Sequence, residues 1–237
     1  MADEVTRMME NFSLLEEEQL ELEIPKQKMK GTAQRGKQCL VGKLIADHLV
    51  SKDTIRAKLI RGWKPSGNLS SRVLGENLFF LEFEHEWDKI RFLEGRPWVF
   101  EGYLFSVEEF DGLTPPTQIV FEKIAFWVRM LKLPLACMSK DVGTLIVSTM
   151  GFFEEVDIDI DGVGWGEFLC VRIQLDLTKP LSRGRFLKLQ GKSVWVDFQY
   201  ERFPRYCFNC GIINHGKAGC LKRSTARSQG GELQYEP

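Results

Sequence analysis

Residues 38–63 read QCLVGKLIADHLVSKDTIRAKLIRGW, which predicts one strand followed by one helix. The strand is expected over residues 38–46, where apolar residues predominate. Ser51 is placed to cap the helix, because a serine hydroxyl accepts a hydrogen bond from a free N–H of the first turn. The apolar positions of this helix recur every four residues: Ile55, Leu59 and Trp63.

Further elements follow this pair in a regular order. Strands are expected over residues 71–74 and 77–84, a second helix over 85–94 and a returning strand over 98–110. The order β-α-β-β-α-β over residues 38–111 is that of split βαβ folds, such as ferredoxin-like and RNA-recognition-motif (RRM) domains. We therefore predict the α+β class.

The spacing of apolar residues also predicts which faces are buried. The second helix is expected to bury Trp87, Ile90 and Leu93. Alternation along the 77–84 strand places three residues on one face of the sheet: Phe79, Leu81 and Phe83. The opposite face is expected to be open and to carry Leu78, Phe80 and Glu82.

A second α+β segment is predicted over residues 118–203, after a linker that contains Pro115 and Pro116. Ser139 is placed to cap its helix, and Gly191 marks a hairpin turn. No second helix is recognisable, so the segment is either a degenerate second α+β unit or an extension of the first sheet. Its strands are expected over residues 124–133, 153–160, 167–177 and 193–200.

Four residues of metal-ligating types lie in the spacing C-x2-C-x4-H-x4-C near the C-terminus. Three thiolates and one imidazole are the donors that tetrahedral Zn²⁺ prefers. We predict one structural Zn²⁺ in a zinc knuckle over residues 204–223. A closed four-ligand site leaves no position for a substrate, which favours a non-enzymatic protein without a small-molecule substrate. The predicted ligands are Cys207, Cys210, His215 and Cys220.

Aromatic and basic residues surround this motif. Residues 202–227 contain six basic and no acidic residues, although the net charge of the chain is −1. Aromatic rings and cations are what a protein needs to stack the bases and pair the phosphates of single-stranded RNA or DNA. The candidate contact residues are Arg202, Arg205, Tyr206, Phe208, Lys217, Lys222 and Arg223.

The two ends of the chain predict no core. Residues 1–37 are expected to form an acidic, flexible arm, with docking of the arm on the basic domain as the alternative, and residues 224–237 a disordered tail. Cys39, Cys137 and Cys170 lie in apolar runs and are expected to be buried thiols. Neither a signal peptide nor an apolar run long enough to cross a membrane is recognisable, which predicts an intracellular protein, in the nucleus or the cytoplasm.

Residues 37–203 resemble a known plant domain in four places: WVF at 98–100, WVR at 127–129, TKPL at 178–181 and VWVDFQYERFP at 194–204. This domain of unknown function (DUF4283 type) precedes a CCHC zinc knuckle in proteins derived from LINE-type retrotransposons. The resemblance implies a nucleic-acid-binding protein of retroelement origin, like the product of the first open reading frame of such elements. The open face of the first sheet carries one aromatic residue and one acid, which departs from the RRM pattern. The α+β region is therefore expected to act in scaffolding or self-association, with RNA binding by the sheet face as the alternative.

Two other functions remain open. The zinc loop and the acidic arm could serve protein–protein interaction or assembly, without physiological nucleic-acid binding. Alternatively, the chain could be a fragment of an enzyme, although no pair of a nucleophile and a base is recognisable in it.

Overall fold

The computed structural model describes Leu15, residues 17–110, residues 112–213, Cys220 and Tyr235. These residues form two five-stranded antiparallel sheets and four α-helices. The predicted α+β class is confirmed. Nearly all of the predicted tail and the first part of the predicted arm lie outside the described residues.

The first unit has the predicted order of elements, preceded by one helix and extended by one strand. Its sheet has the strand order β2-β3-β1-β5-β4, with all neighbours antiparallel. Its elements are α1 (Lys26–Gly36), β1 (Cys39–Ile45), α2 (Lys52–Trp63), β2 (Leu69–Gly75), β3 (Leu78–Phe83), α3 (Glu86–Glu94), β4 (Trp98–Phe100) and β5 (Tyr103–Glu109).

The core of the first unit lies between its sheet and the helices α2 and α3. The Ser51 hydroxyl accepts a hydrogen bond from the Thr54 N–H at 3.2 Å and caps α2. The predicted cap and the predicted buried face of α2 are therefore confirmed. The buried side chains of this core include Ile55, Leu59, Trp63, Phe79, Leu81, Phe83 and Phe92.

The predicted buried face of α3 was wrong for Trp87 and Ile90, whereas Leu93 is half-buried and packs against the core. Trp87 is 61% exposed and Ile90 43%, whereas the helix buries Asp88, Lys89 and Phe92. The Asp88 carboxylate accepts hydrogen bonds from the loop before β2, from the hydroxyl of Ser66 at 2.8 Å and the N–H of Gly67 at 2.9 Å. Because its hydrogen bonds are satisfied, this carboxylate can be buried on the core side of the helix. The spacing of apolar residues does not predict the burial of an aspartate.

The return strand expected over residues 98–110 is a hairpin of two strands. Glu101 and Gly102 both have positive φ, 54° and 86°, and they turn β4 back onto β5. Two consecutive residues with positive φ are typical of tight hairpin turns.

The second unit forms a sheet of its own. Its strand order, β7-β8-β6-β10-β9, repeats the order of the first sheet element by element. The segment is therefore a degenerate second α+β unit and not an extension of the first sheet. Its elements are β6 (Lys123–Leu131), α4 (Lys140–Val147), β7 (Gly151–Asp157), β8 (Phe168–Asp176), β9 (Gly184–Leu189) and β10 (Lys192–Tyr200).

The two units differ at one place. Where the first unit has α3 between its third and fourth strands, the second unit connects β8 to β9 through residues 177–183 without a helix. The missing second helix was expected, but strand β9 was not. Gln190 and Gly191 form the turn between β9 and β10, with φ values of 48° and 84°.

The face of the first sheet that was predicted to be open is covered. Leu78 is buried against Val41 of β1 and against Phe121, which lies between the linker and β6. The Phe80 ring contacts the Phe110 ring edge to face at 5.4 Å between centroids. Glu82 accepts a hydrogen bond from Nη2 of Arg35 in α1 at 2.8 Å, and a second one from Nε. Part of the predicted arm is therefore a helix that lies on this face.

We expect Glu82→Gln to loosen α1. The hydrogen bond from Arg35 holds the pKa of Glu82 below its ordinary value, so the contact is present at neutral pH and is lost as the pH falls through that lowered pKa. Amides of residues 26–36 should exchange hydrogen faster in the variant at neutral pH, by mass spectrometry. Glu86→Gln, an exposed position in α3, is the matched control. Equal protection of α1 in all three proteins would contradict the prediction.

Candidate metal centre and nucleic-acid interface

Three cysteines meet at the C-terminal end of the described chain. The Sγ atoms of Cys207, Cys210 and Cys220 all lie within 4.8 Å of one another. The first two are held by a tight turn, in which the Gly211 N–H donates to the Cys207 carbonyl at 2.7 Å and the Cys207 N–H to the Ile212 carbonyl at 3.0 Å. Gly211 has a φ of 74°, which favours glycine.

The chemistry of this cluster fits a thiophilic cation. Burial raises the pKa of the Cys210 thiol to about 11, and the two neighbouring thiols act in the same direction. A bound cation would compensate the charge of the Cys210 thiolate and so favour its ionisation. Zn²⁺ would be held by these three sulfurs, and it would supply the cross-link that orders the loop.

The fourth predicted ligand, His215, lies outside the described residues. It remains a prediction from spacing. The number of bound ions likewise remains a prediction.

The cysteine turn is docked on the core of the second unit. Ile213 is 6% exposed and belongs to the core that contains the inner faces of β6, β8 and β10. The Leu181 N–H, in the connection that lacks a helix, donates to the Gly211 carbonyl at 3.0 Å. Phe203 and Tyr206 pack against the same core. The candidate metal loop thus covers part of the second sheet.

Tyr235 adds a further contact to this loop. Its N–H donates to the Phe208 carbonyl at 3.0 Å, and its carbonyl accepts a hydrogen bond from the Tyr206 hydroxyl at 3.1 Å. The guanidinium of Arg183 lies 5.5 Å from the centre of its ring. Sequence reasoning missed Leu181, Ile213 and Tyr235, because only the tertiary fold brings them to the loop.

The predicted stacking residue Phe208 is accessible. Its side chain is 42% exposed, and its ring contacts the Tyr206 ring edge to face at 5.1 Å between centroids. Tyr206 contacts Phe203 in the same way at 5.1 Å. A row of aromatic rings therefore connects the core of the second unit to Phe208, which leaves Phe208 as the ring that reaches the surface.

The two predicted basic residues before the cysteines contact the first unit. Arg202 Nη1 donates to the Gly95 carbonyl at 2.9 Å. The Arg205 guanidinium lies 5.0 Å from the centre of the Tyr103 ring. Both residues remain exposed, so their contact with phosphate stays a prediction beside this observed role. The other predicted cations, Lys217, Lys222 and Arg223, lie outside the described residues.

The three remaining cysteines, Cys39, Cys137 and Cys170, are buried, as predicted. Burial raises the pKa of Cys39 to about 11 and that of Cys170 to about 12, which makes these thiols unreactive. No helix among the described residues is long and apolar enough to cross a membrane.

Comparisons with known proteins agree with this architecture. Residues 175–222 match the family model of a zinc knuckle (zf-CCHC_4), and residues 32–117 match that of a domain of unknown function (DUF4283). The predicted succession of these two components is therefore confirmed. No curated protein matches the chain.

A chain of a solved structure titled "Sxl-lethal protein/RNA complex" is similar in part. The identity is 16%, the alignment covers 57% of this chain and 81% of that chain, and the TM-score is 0.26. The assignment of the fold therefore rests on the strand order of the two sheets.

We expect Ile213→Ala to destabilise the second unit together with the metal loop. Removing a buried isoleucine side chain typically costs about 2–5 kcal/mol of stability. The midpoint temperature of thermal unfolding and the amount of zinc retained after dialysis should both decrease. Ile212→Ala, in a half-buried position one residue earlier, is the control and should change both quantities less. Loss of stability without any loss of zinc would show that the loop and the core are independent.

Proposed function

We propose that this protein binds single-stranded RNA or DNA through a zinc knuckle that holds one structural Zn²⁺. It is further proposed to be non-enzymatic, intracellular and of retroelement origin. The observation that carries the proposal is the exposed ring of Phe208 within the loop of Cys207 and Cys210. A metal-ordered loop holds such a ring in a fixed orientation, so that less conformational entropy is lost when a base stacks on it.

The matches to the two family models support the proposal, since the zinc-knuckle match at residues 175–222 follows the match at residues 32–117 along the chain. The covered second face of the first sheet supports it as well. In RRM domains this is the face whose aromatic residues stack RNA bases. Here Val41, Leu78 and Phe121 are buried on it, so a nucleic acid has to bind elsewhere.

The first test removes the metal. Fluorescence anisotropy of a labelled single-stranded oligouridine should show binding with zinc and loss of binding after chelation, because the loop does not hold its shape without the ion. Affinity should also fall at higher salt, as phosphate contacts require. Binding that persists without zinc would assign the site to the α+β body. Absence of binding at low salt would favour a protein-interaction function.

The second test removes the ring. Phe208→Ala should weaken RNA binding by about 1–3 kcal/mol, the usual contribution of one stacked base, while zinc content stays unchanged. The matched control is Phe152→Ala, which removes a phenylalanine that is 73% exposed but lies in strand β7 and not in the cysteine loop. Equal affinity of the Phe208→Ala variant and the unmodified protein would refute the stacking role.

A further inference from the structure

The β9–β10 hairpin combines charge and exposed aromatic rings in a way that the zinc knuckle does not explain. The hairpin, residues 184–200, contains three basic residues, Arg185, Lys188 and Lys192, and one acidic residue, Asp197. Phe186 is 69% exposed and Trp195 is 39% exposed. We propose that this hairpin is a second contact surface for single-stranded nucleic acid. The inference rests on the proposed function, which it extends from the knuckle to the outer edge of the second sheet.

Trp195 forms a fixed platform on this surface. Its indole lies over Gly184, where a Cβ atom would come within 2.4 Å of the ring. Its Nε1–H donates to the Asp197 carboxylate at 2.5 Å, and that carboxylate is paired with Lys132 Nζ at 2.7 Å. The Phe186 ring meets the indole edge to face at 4.9 Å. A ring fixed by such contacts loses little conformational freedom when a base stacks on it.

An unpaired cation lies beside the platform. Lys188 lies opposite Ser193 in the hairpin, on the same face as Phe186 and Trp195, and it is exposed. Arg185 and Lys192 lie on the opposite face of the hairpin, and none of these three cations makes an ion pair with any residue that the structure describes. A free cation on the same face as exposed aromatic rings satisfies both requirements of single-strand binding, namely phosphate pairing and base stacking.

The opposite edge of the same sheet has the reverse charge. Residues 151–170 contain six acidic and no basic residues. Exposed aromatic rings occur there too, since Trp165 is 72% exposed. Charge therefore distinguishes the two edges, and only the β9–β10 edge is complementary to a polyanion.

The acidic edge could instead pair with the basic edge of a second copy. Its Glu154, however, already accepts hydrogen bonds from Arg172 Nε at 3.1 Å and Gln174 Nε2 at 2.8 Å. Glu154 and Glu155 also line a groove of 360 Å³ against α3 of the first unit. These internal contacts favour a nucleic acid as the occupant of the basic edge.

The test compares variants of the full-length zinc-loaded protein by anisotropy with a labelled oligouridine of about 20 nucleotides, long enough to extend beyond one small site. Trp195→Ala should weaken binding about fivefold or more, the effect of losing one stacked base. The matched control Trp165→Ala removes an equally large exposed ring from the acidic edge and should bind like the unmodified protein. If circular dichroism shows that Trp195→Ala does not fold, Phe186→Ala replaces it in the same binding measurement, with the same expected loss of affinity.

Salt dependence provides the second readout. Replacing both Lys188 and Lys192 with alanine should reduce the slope of log affinity against log salt by about 1.4, since each phosphate contact on a single strand contributes about 0.7. An unchanged slope together with unchanged binding of Trp195→Ala would overturn the inference.

The outcomes separate the two proposals. If Phe208→Ala weakens binding and the hairpin variants do not, the knuckle function stands and the hairpin surface is refuted. If the unmodified protein binds no RNA, both are refuted. A larger oligomer in light scattering without RNA that Trp195→Ala dissociates would assign the edge to a second copy of the chain and overturn the inference.

Discussion

A sheet with one apolar face has to bury that face, and the second sheet lacks one of the helices that do so in the first unit. The connection from β8 to β9 is too short for a helix, so the core that includes Val128, Val171 and Phe198 needs another cover. Part of that cover is Ile213, which follows the cysteine turn directly. The candidate metal loop is therefore part of the core of the second unit. An independent finger on a flexible linker would have no effect on the stability of the sheet. This loop packs on the sheet, so metal binding and the stability of the sheet are linked.

The packing of the first unit removes a surface that could otherwise bind a ligand. Its second face is buried under α1, the linker and part of the second unit, where Leu104 and Ser106 are almost completely inaccessible. With this face covered, the first sheet has no open face for a ligand among the residues that the structure describes. The exposed rings of Phe186, Trp195 and Phe208 lie on the second unit and on the loop that covers it, whereas the first unit exposes Trp87 on its helix α3.

The local parts of this fold were predictable from the sequence. The Ser51 cap and the four-residue spacing that ends at Trp63 depend only on residues one or two turns apart. The same holds for the spacing of Cys207 and Cys210 within their turn. The phase of α3 was not predictable, since Asp88 is buried by virtue of donors in a distant loop. Strand β9 lies at the edge of the sheet, where both apolar and charged residues, such as Phe186 and Lys188, are exposed. Its sequence therefore resembles that of a loop, and the strand was not predicted.

The repeated strand order has a consequence for synthesis of the chain. In each unit the first strand, β1 or β6, lies at the centre of the sheet, and the last strands close one side. The first unit has all of its strands once residue 109 has been made, and domains generally fold as they leave the ribosome. The second core acquires its final cover only when residue 213 has emerged. Until then the nascent protein exposes an apolar sheet, and the segment that conceals it is also the one that carries the cysteines. The residue that completes the core and the cysteines that would hold a metal therefore emerge from the ribosome close together.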